Sequence, residues 1–167
     1  MGLLIDGKWS TAWYDTAKTD GRFVRETAHF RNWITPDGTA GPTGTGGFAA
    51  ESGRYHLYVS HACPWAHRTV MARTLLGLED HVSVDVVDWR MNADGSWSFN
   101  PDEPGATPDR VNGEEHLEAI YRRAYPEWTN EGHVGTVPVL WDKVTGTNVN
   151  NESREIIRMF GTLATAL

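Results

Sequence analysis

Cysteine is almost missing from this chain. Cys63 is the only one in 167 residues, so no intrachain disulfide can form. A disulfide framework is excluded, and a reducing compartment suits the protein. Positive charge is also scarce: the net charge is -7, and the basic residues do not cluster. That argues against nucleic acid or an anionic membrane as partner. The overall field does not attract an acidic substrate either, so any anion must be held by local donors. No stretch approaches the roughly 20 apolar residues that a membrane span needs. The first residues, MGLLIDGKWS, carry an acid at position 6 and fit neither a signal peptide nor a myristoylation signal. These absences predict a cytoplasmic protein with no membrane or nucleic-acid partner.

What remains is ordinary in bulk and unusual in detail. Hydrophobic residues at 40% and charged residues at 22% suit one globular domain with a real core. Eight tryptophans are many for this length, and imply large buried surfaces or flat ring-binding sites. Residues 1–53 read as an irregular N-terminal extension whose aromatics lie across a domain surface. Within it PDGTAGPTGTGG, 36–47, reads as a flexible loop.

From residue 54 regular patterns begin. RYHLYVS (54–60) and VSVDVV (82–87) alternate as strands. Between them Pro64 suits a helix's first turn, because its missing N–H is not needed there. Residues 65–76 carry helical spacing, with Val70, Leu75 and Leu76 on or near one face and Gly77 as the stop. Residues 88–113 form a long Gly-, Pro-, Asp- and Asn-rich insertion, a class that is often functional. A helix is predicted over 114–125 and strands over 136–141 and 148–150, with a hairpin turn between the strands. A last helix over 152–165 has Ile156, Ile157, Phe160 and Leu163 on its apolar face. Pro138 is awkward inside a central strand unless it plays a special part. Strand-helix-strand-helix-strand-strand-helix gives parallel pairing for the first two strands and antiparallel pairing for the last two. The predicted class is α/β: a mixed four-stranded sheet flanked by helices, thioredoxin-like, over 54–167.

The chemistry centres on Cys63. A cysteine reacts as its thiolate, and a helix N-terminus offers free N–H groups and the positive end of the helix dipole to negative sulfur. The simpler reading of a lone cysteine is a small buried hydrophobe. The strand-Cys-Pro-helix context favours reactivity, with His67 and Arg68 one turn on as further sources of positive field. In Cys63-Pro64-Trp65-Ala66 the fourth position is not a second cysteine. A mixed disulfide at Cys63 must therefore be resolved by an external thiol such as glutathione.

The runs GRYHLYVSHACPWAHRT (53–69), TVPVLWDKVTGTNVNNESREIIRMF (136–160) and RFVRETAHFRNWI (22–34) resemble the glutathionyl-hydroquinone reductases, the Xi-class glutathione transferases. The resemblance implies the thioredoxin-like fold and a reaction. The cysteine attacks the sulfur of a glutathionyl-hydroquinone, free hydroquinone leaves, and a second glutathione resolves the mixed disulfide. Cys63 matches the nucleophile. Glu152 and Ser153 match a Glu-Ser pair that holds the γ-glutamyl end, although a plain helix cap by Ser153 or Asn151 would also explain them. Pro138 matches the cis-proline that exposes the backbone of Val137 to an extended peptide. Trp97 resembles a tryptophan near the thiol-binding pocket; its simpler role is to anchor the insertion.

Two positions depart from the family. Where an arginine usually contacts glutathione the run is Gly132-His133-Val134-Gly135, so His133 is the nearest candidate and a weaker, pH-dependent anion partner. Asn148 stands where a branched apolar residue is usual. The family also has an all-helical C-terminal domain, absent here, and without it the final helix is expected to expose an apolar face prone to dimerisation. No bound cofactor is implied; glutathione, or another low-mass thiol, is the co-substrate. Three rival readings stand beside this one. They are a metal site from His61, Cys63 and His67; a non-catalytic glutathione-binding domain; and glutathione transfer to electrophiles. Metal sites show more regular ligand spacing, and a cysteine at the helix start disfavours transfer because it forms the mixed disulfide instead.

Overall fold

The computed structural model describes residues 3–5, 8–10, 16–22, 27–93, 96–126 and 135–167. The elements run β1 (Leu3–Ile5), β2 (Lys8–Ser10), a short 3-10 helix (Thr16–Thr19), β3 (Trp33–Thr35), β4 (Gly47–Ala49), β5 (Tyr55–Val59), α1 (Pro64–Leu75), β6 (Val82–Val86), α2 (Leu117–Ala124), β7 (Val139–Asp142), β8 (Thr147–Asn150) and α3 (Ser153–Ala166). From β5 onward this is the order expected. The central sheet has four strands in the order β6-β5-β7-β8. β5 pairs parallel with β6, while β7 pairs antiparallel with both β5 and β8.

The register follows from burial. Every residue of β5 is buried, which suits a strand covered on both faces by helices or loops. Tyr55, Leu57, Val59, Val82, Val139, Leu140 and Trp141 form the centre of the core, with Ile120 and Tyr121 from α2 and Ile156, Met159, Phe160 and Leu163 from α3. Both sheet edges are covered. On the β8 side, the Asn32 N–H donates to the Val149 carbonyl and the Asn151 N–H to the Phe30 carbonyl. On the β6 side, the Thr107 N–H donates to the Val86 carbonyl, and the Arg110 guanidinium donates to the Val84 carbonyl. Edge groups satisfied in this way cannot pair with another chain.

The extension is largely irregular, but it also builds core. Trp33 and Ile34 are buried, and β3 pairs parallel with β4. The glycine-rich run 36–47 is a packed turn where the composition suggested a flexible loop. A Cβ on Gly41 would lie 2.3 Å from the Trp33 ring, and one on Gly47 would lie 1.8 Å from the Thr39 carbonyl oxygen. Trp33 Nε1 donates to Thr43 Oγ1 at 2.6 Å. Glycine is there for close approach rather than for motion.

The helices correct three expectations. α1 buries Ala66 and Thr69, not the predicted leucines; Leu75 is 80% exposed. Small residues let α1 lie close beside α3, and the Thr69 hydroxyl is satisfied by donating to the Ala66 carbonyl at 2.7 Å. The apolar face of α3 is covered, since it packs on α1 and β3. The uncovered apolar strip is on α1, where Trp65, Met71, Leu75 and Leu76 face outward. Third, α2 starts at Leu117, not 114, because the chain before it is bridged into the insertion by Ser98 and His116. Among the described residues no helix is long and apolar enough to cross a membrane.

Candidate active site

Cys63 is the N-cap of α1, with extended backbone at φ -99° and ψ 114°, and Pro64 follows in the first turn. The turn that delivers it is fixed locally. The Cys63 N–H donates to the Ser60 carbonyl at 3.2 Å, and the His67 N–H closes the first helical turn on the Cys63 carbonyl at 2.9 Å. Ser60 Oγ accepts from the Ala62 N–H at 3.3 Å. Because proline has no N–H, the first free donors of the helix are those of Trp65 and Ala66.

The thiol is half-buried and unpaired with any other sulfur. Its nearest polar neighbour is the Val137 carbonyl, to which Sγ donates at 3.7 Å. The Val137–Pro138 peptide bond is cis, as the sequence reading expected. Three of the singled-out positions, Cys63, Val137 and Pro138, are therefore brought together. Tyr121 holds the segment from behind, donating its hydroxyl to the Thr136 carbonyl at 2.6 Å.

The Glu152–Ser153 pair opens α3. Glu152 is its N-cap, and the Glu152 carboxylate accepts from the Arg154 N–H at 3.5 Å. This corrects the expectation of a Ser153 or Asn151 cap. Ser153 Oγ instead accepts from Arg68, whose Nε lies 3.0 Å away. The same guanidinium lies 3.9 Å from Glu152 Oε1. Arg68 is thus committed to the start of α3, not to the sulfur as the sequence suggested. Glu152 and Ser153 are both buried, and the Glu152 N–H donates to Asn150 Oδ1 at 2.7 Å.

Beneath lies a second pair that the sequence did not flag. Arg31 grips Glu155 with both arms of its guanidinium, Nε donating at 2.6 Å. Asn150 Nδ2 donates to the same carboxylate at 2.9 Å. Burial alone would raise the Glu155 pKa, but the hydrogen bonds from Arg31 and Asn150 outweigh it and hold the carboxyl below its ordinary value. Arg31 lay inside a recognised run, yet a single sequence cannot reveal a partner 124 residues away.

Trp97 is half-buried and packed against the core. Its carbonyl accepts from the Leu117 N–H at 3.0 Å, so it anchors the insertion to α2. His133 lies outside the described residues. Among the described residues no group of three or more His, Cys, Asp or Glu side chains is placed to hold a metal, and the trio His61, Cys63 and His67 does not form one.

Residues 62–163 match the family model described as glutathione S-transferase, N-terminal domain. The chain is 56% identical over 167 residues to the glutathionyl-hydroquinone reductase YqjG of Escherichia coli (strain K12), covering 100% of this chain and 50% of that one. It is 46% identical over 159 residues to the glutathionyl-hydroquinone reductase PcpF of Sphingobium chlorophenolicum, covering 95% of this chain and 46% of that protein. The glutathione-bound structure of YqjG superposes with a TM-score of 0.79 and 48% identity, over 99% of this chain and 46% of the other. The chain spans about half the length of the curated relatives it matches. By fold, by the cysteine-bearing helix start and by these matches, the chain belongs to the glutathione S-transferase family, whose thioredoxin-like N-terminal domain it carries.

Proposed function

We propose that the protein reduces glutathionyl-hydroquinones to hydroquinones with Cys63 as nucleophile and glutathione as second thiol. One observation carries the reading: Cys63 caps α1 directly opposite the backbone of Val137, across the cis Val137–Pro138 bond. A sulfur attached to an extended peptide can pair with that backbone while Cys63 reaches it in line. The names of the relatives, and the glutathione in the solved YqjG structure, support the same substrate class.

The steps balance. The thiol loses its proton and the thiolate turns from the Val137 carbonyl to the N–H groups of Trp65 and Ala66. It attacks the glutathionyl sulfur; an S–S bond forms, the sulfur–ring bond breaks, and the ring carbon takes up a proton to leave as hydroquinone. A second glutathione, as thiolate, attacks the mixed disulfide, which releases oxidised glutathione and restores Cys63. The ring is reduced and two glutathione sulfurs are oxidised to one disulfide. Ala66 stands where an internal resolving thiol would be, which leaves that step to glutathione.

Glu152 and Ser153 are the binding residues for the γ-glutamyl group in this reading. A carboxylate can pair with its amine, and a hydroxyl at a helix start can donate to its carboxylate. Arg68, bonded to Ser153, positions that hydroxyl. Trp97 is assigned to the substrate side of the thiol by the family resemblance alone, beside its contact with α2. Such chemistry belongs in a reducing compartment, in keeping with a cytoplasmic location.

The test is to mix the chain with a glutathionyl-hydroquinone and excess glutathione, and to follow free hydroquinone and oxidised glutathione by chromatography. Equimolar accumulation of both, beyond one equivalent per chain, is expected. Conjugate that binds but is recovered intact would overturn the reading in favour of a glutathione-binding domain without turnover.

A further inference from the structure

A second set of reactive side chains lies toward the opposite end of β5 from the Cys63 turn. The alternation of VSVDV puts Ser83 and Asp85 on one face of β6, two residues apart. His56 of β5 stands opposite Ser83 in the parallel ladder, and Tyr58 stands opposite Asp85. The sequence therefore gathers a hydroxyl, an imidazole and a carboxylate on one side of the sheet. His56 is the second residue of β5. Three residues of strand, roughly 10 Å, separate it from Val59, after which the turn to Cys63 begins.

The three groups touch in series. His56 Nδ1 lies 2.7 Å from Ser83 Oγ. Its Nε2 lies 3.3 Å from Asp85 Oδ2, within ion-pair distance but off the line of a hydrogen bond. Asp85 is fully buried and fixed in place. Arg110 donates to it from its backbone N–H at 2.8 Å and from Nε at 2.6 Å, and the Thr107 hydroxyl donates at 3.2 Å. The His56 side chain is 1% exposed, and its ring meets that of Tyr58 edge-on with centroids 4.5 Å apart. An imidazole held this way carries its proton on Nε2, toward the carboxylate, and leaves the Nδ1 lone pair to the serine. Ser83, by contrast, is exposed. It lines a cavity of about 690 Å³ together with His56, Arg73, Arg110, Lys143 and Glu79. Three cations against one acid give this cavity a positive balance in a chain of net charge -7. Arg73 donates to the Val82 and Glu79 carbonyls, which hold it in place without neutralising it.

We infer that Ser83, His56 and Asp85 form a second, hydrolytic site for carboxylic esters with a negatively charged acyl chain. Ser83 is the nucleophile, His56 the general base, and Asp85 positions the imidazole. Such roles follow from geometry and not from order along the chain. Either ring nitrogen can serve the nucleophile, provided an acceptor holds the other. Ser83 Oγ attacks the ester carbonyl carbon while its proton passes to His56 Nδ1. The bond to the alcohol oxygen breaks, and the alcohol leaves with that proton. Water then attacks the acyl-serine, giving a proton to His56, which returns it to Ser83 Oγ as the acid is released. Nothing is oxidised or reduced. The cations of the cavity balance charge on the carbonyl oxygen and hold the acyl carboxylate. The Nε2–Asp85 contact, bent at rest, tightens when the imidazole becomes charged. A hydrogen bond kept only for stability would explain neither the exposed serine nor the cationic cavity beside it.

Cys63 also reacts with activated esters, so the test uses the full chain carrying Cys63→Ala. Peptide-level mass spectrometry after exposure to a fluorophosphonate should find the phosphonyl group on Ser83. The rate constant of that labelling, which does not depend on how much chain is folded, should fall about tenfold or more in Asp85→Asn. The Cys63→Ala chain should also hydrolyse 4-nitrophenyl hemisuccinate beyond one equivalent. Ser83→Ala, a change at an exposed position, should lower kcat by at least about a hundredfold. Lys143→Ala should raise KM about threefold for the hemisuccinate and leave it unchanged for 4-nitrophenyl acetate, whose acyl group is neutral. A Ser83 that stays unlabelled, or hydrolysis that survives Ser83→Ala, would overturn the site. A labelling rate constant unchanged in Asp85→Asn would remove Asp85 from it. A ratio of the two KM values that Lys143→Ala leaves unchanged would overturn the anionic substrate class.

Discussion

The two ends of β5 are built in opposite ways. Before Tyr55, Arg54 forms a bidentate pair with the fully buried Asp142, both contacts at 2.8 Å. Asp142 also accepts from the Val144 and Thr145 N–H groups and the Thr145 hydroxyl. Every acceptor site there is used, and the guanidinium lies near the Tyr55 and Phe48 rings. Beyond Val59, the turn reaches Cys63 with two local bonds, one to the Ser60 carbonyl and one to its hydroxyl, and the thiol has one long contact, to the Val137 carbonyl. One end spends its polar groups on holding the β5–β7 register. The other leaves a nucleophile and a stretch of backbone for something else to contact. The difference teaches that rigidity at the anchored end lets the reactive end stay sparsely bonded and still be well placed.

Replacing residues at each end should separate the two roles. Cys63→Ala should abolish glutathione transfer from a conjugate to the chain, yet shift unfolding by no more than about 1 kcal/mol, because the side chain makes no cap bond. Asp142→Ala should do the reverse. It removes the buried partner of Arg54, leaving the guanidinium only its exposed Glu51 contact, and costs about 3–5 kcal/mol by urea denaturation, while the fraction that remains folded still accepts glutathione at Cys63. Equal loss of chemistry and stability in both variants would erase the comparison.

Acid should also attack the anchored regions. Burial alone would raise the Asp142 pKa, but hydrogen bonds from Arg54 and Thr145 outweigh it and hold it below the ordinary value. Asp85, also buried, is held down in the same way by His56 and Arg110, and Glu155 by Arg31. A carboxyl whose folded pKa is depressed contributes stability above its unfolded pKa, and that contribution is lost as pH falls through the folded value. The urea midpoint should thus be flat from neutral pH to about 5 and fall below about 4. Asp142→Asn should make that fall shallower. A midpoint that rose on acidification would contradict the assignment.

The smallest expected effect is a gain. Asn148 is buried with neither side-chain polar atom partnered. Asn148→Val should stabilise the fold by about 1–2 kcal/mol by removing desolvated groups that bond to nothing. The change should not alter the reaction at Cys63.

Much of this was legible in the sequence, and for identifiable reasons. The alternation of 54–60 and 82–87, and Pro64 after Cys63, are local signals, so β5, β6 and the start of α1 fell where expected. The cis Val137–Pro138 bond was expected only through the family resemblance, which matches Pro138 to a cis-proline; the local pattern alone also allowed a trans proline at a strand edge. What was not legible depended on distance. α1 packs through Ala66 and Thr69, because the neighbour that sets its inner face, α3, begins at Ser153. Arg68 reads as a field source for the cysteine until Ser153 is seen to take it. The glycines of 36–47 look mobile until Trp33 and Thr39 are seen pressed against two of them. Periodicity reports what a segment can do alone, and these features are decided by partners far along the chain.

The most direct test of the account is peptide-level mass spectrometry of the intact chain after one exposure to a glutathionyl-hydroquinone. The account predicts glutathione on the Cys63 peptide alone, one equivalent of hydroquinone released with it, and removal of the adduct by added glutathione. Hydroquinone released without modification of Cys63, or a folded chain that stays unmodified, would contradict it.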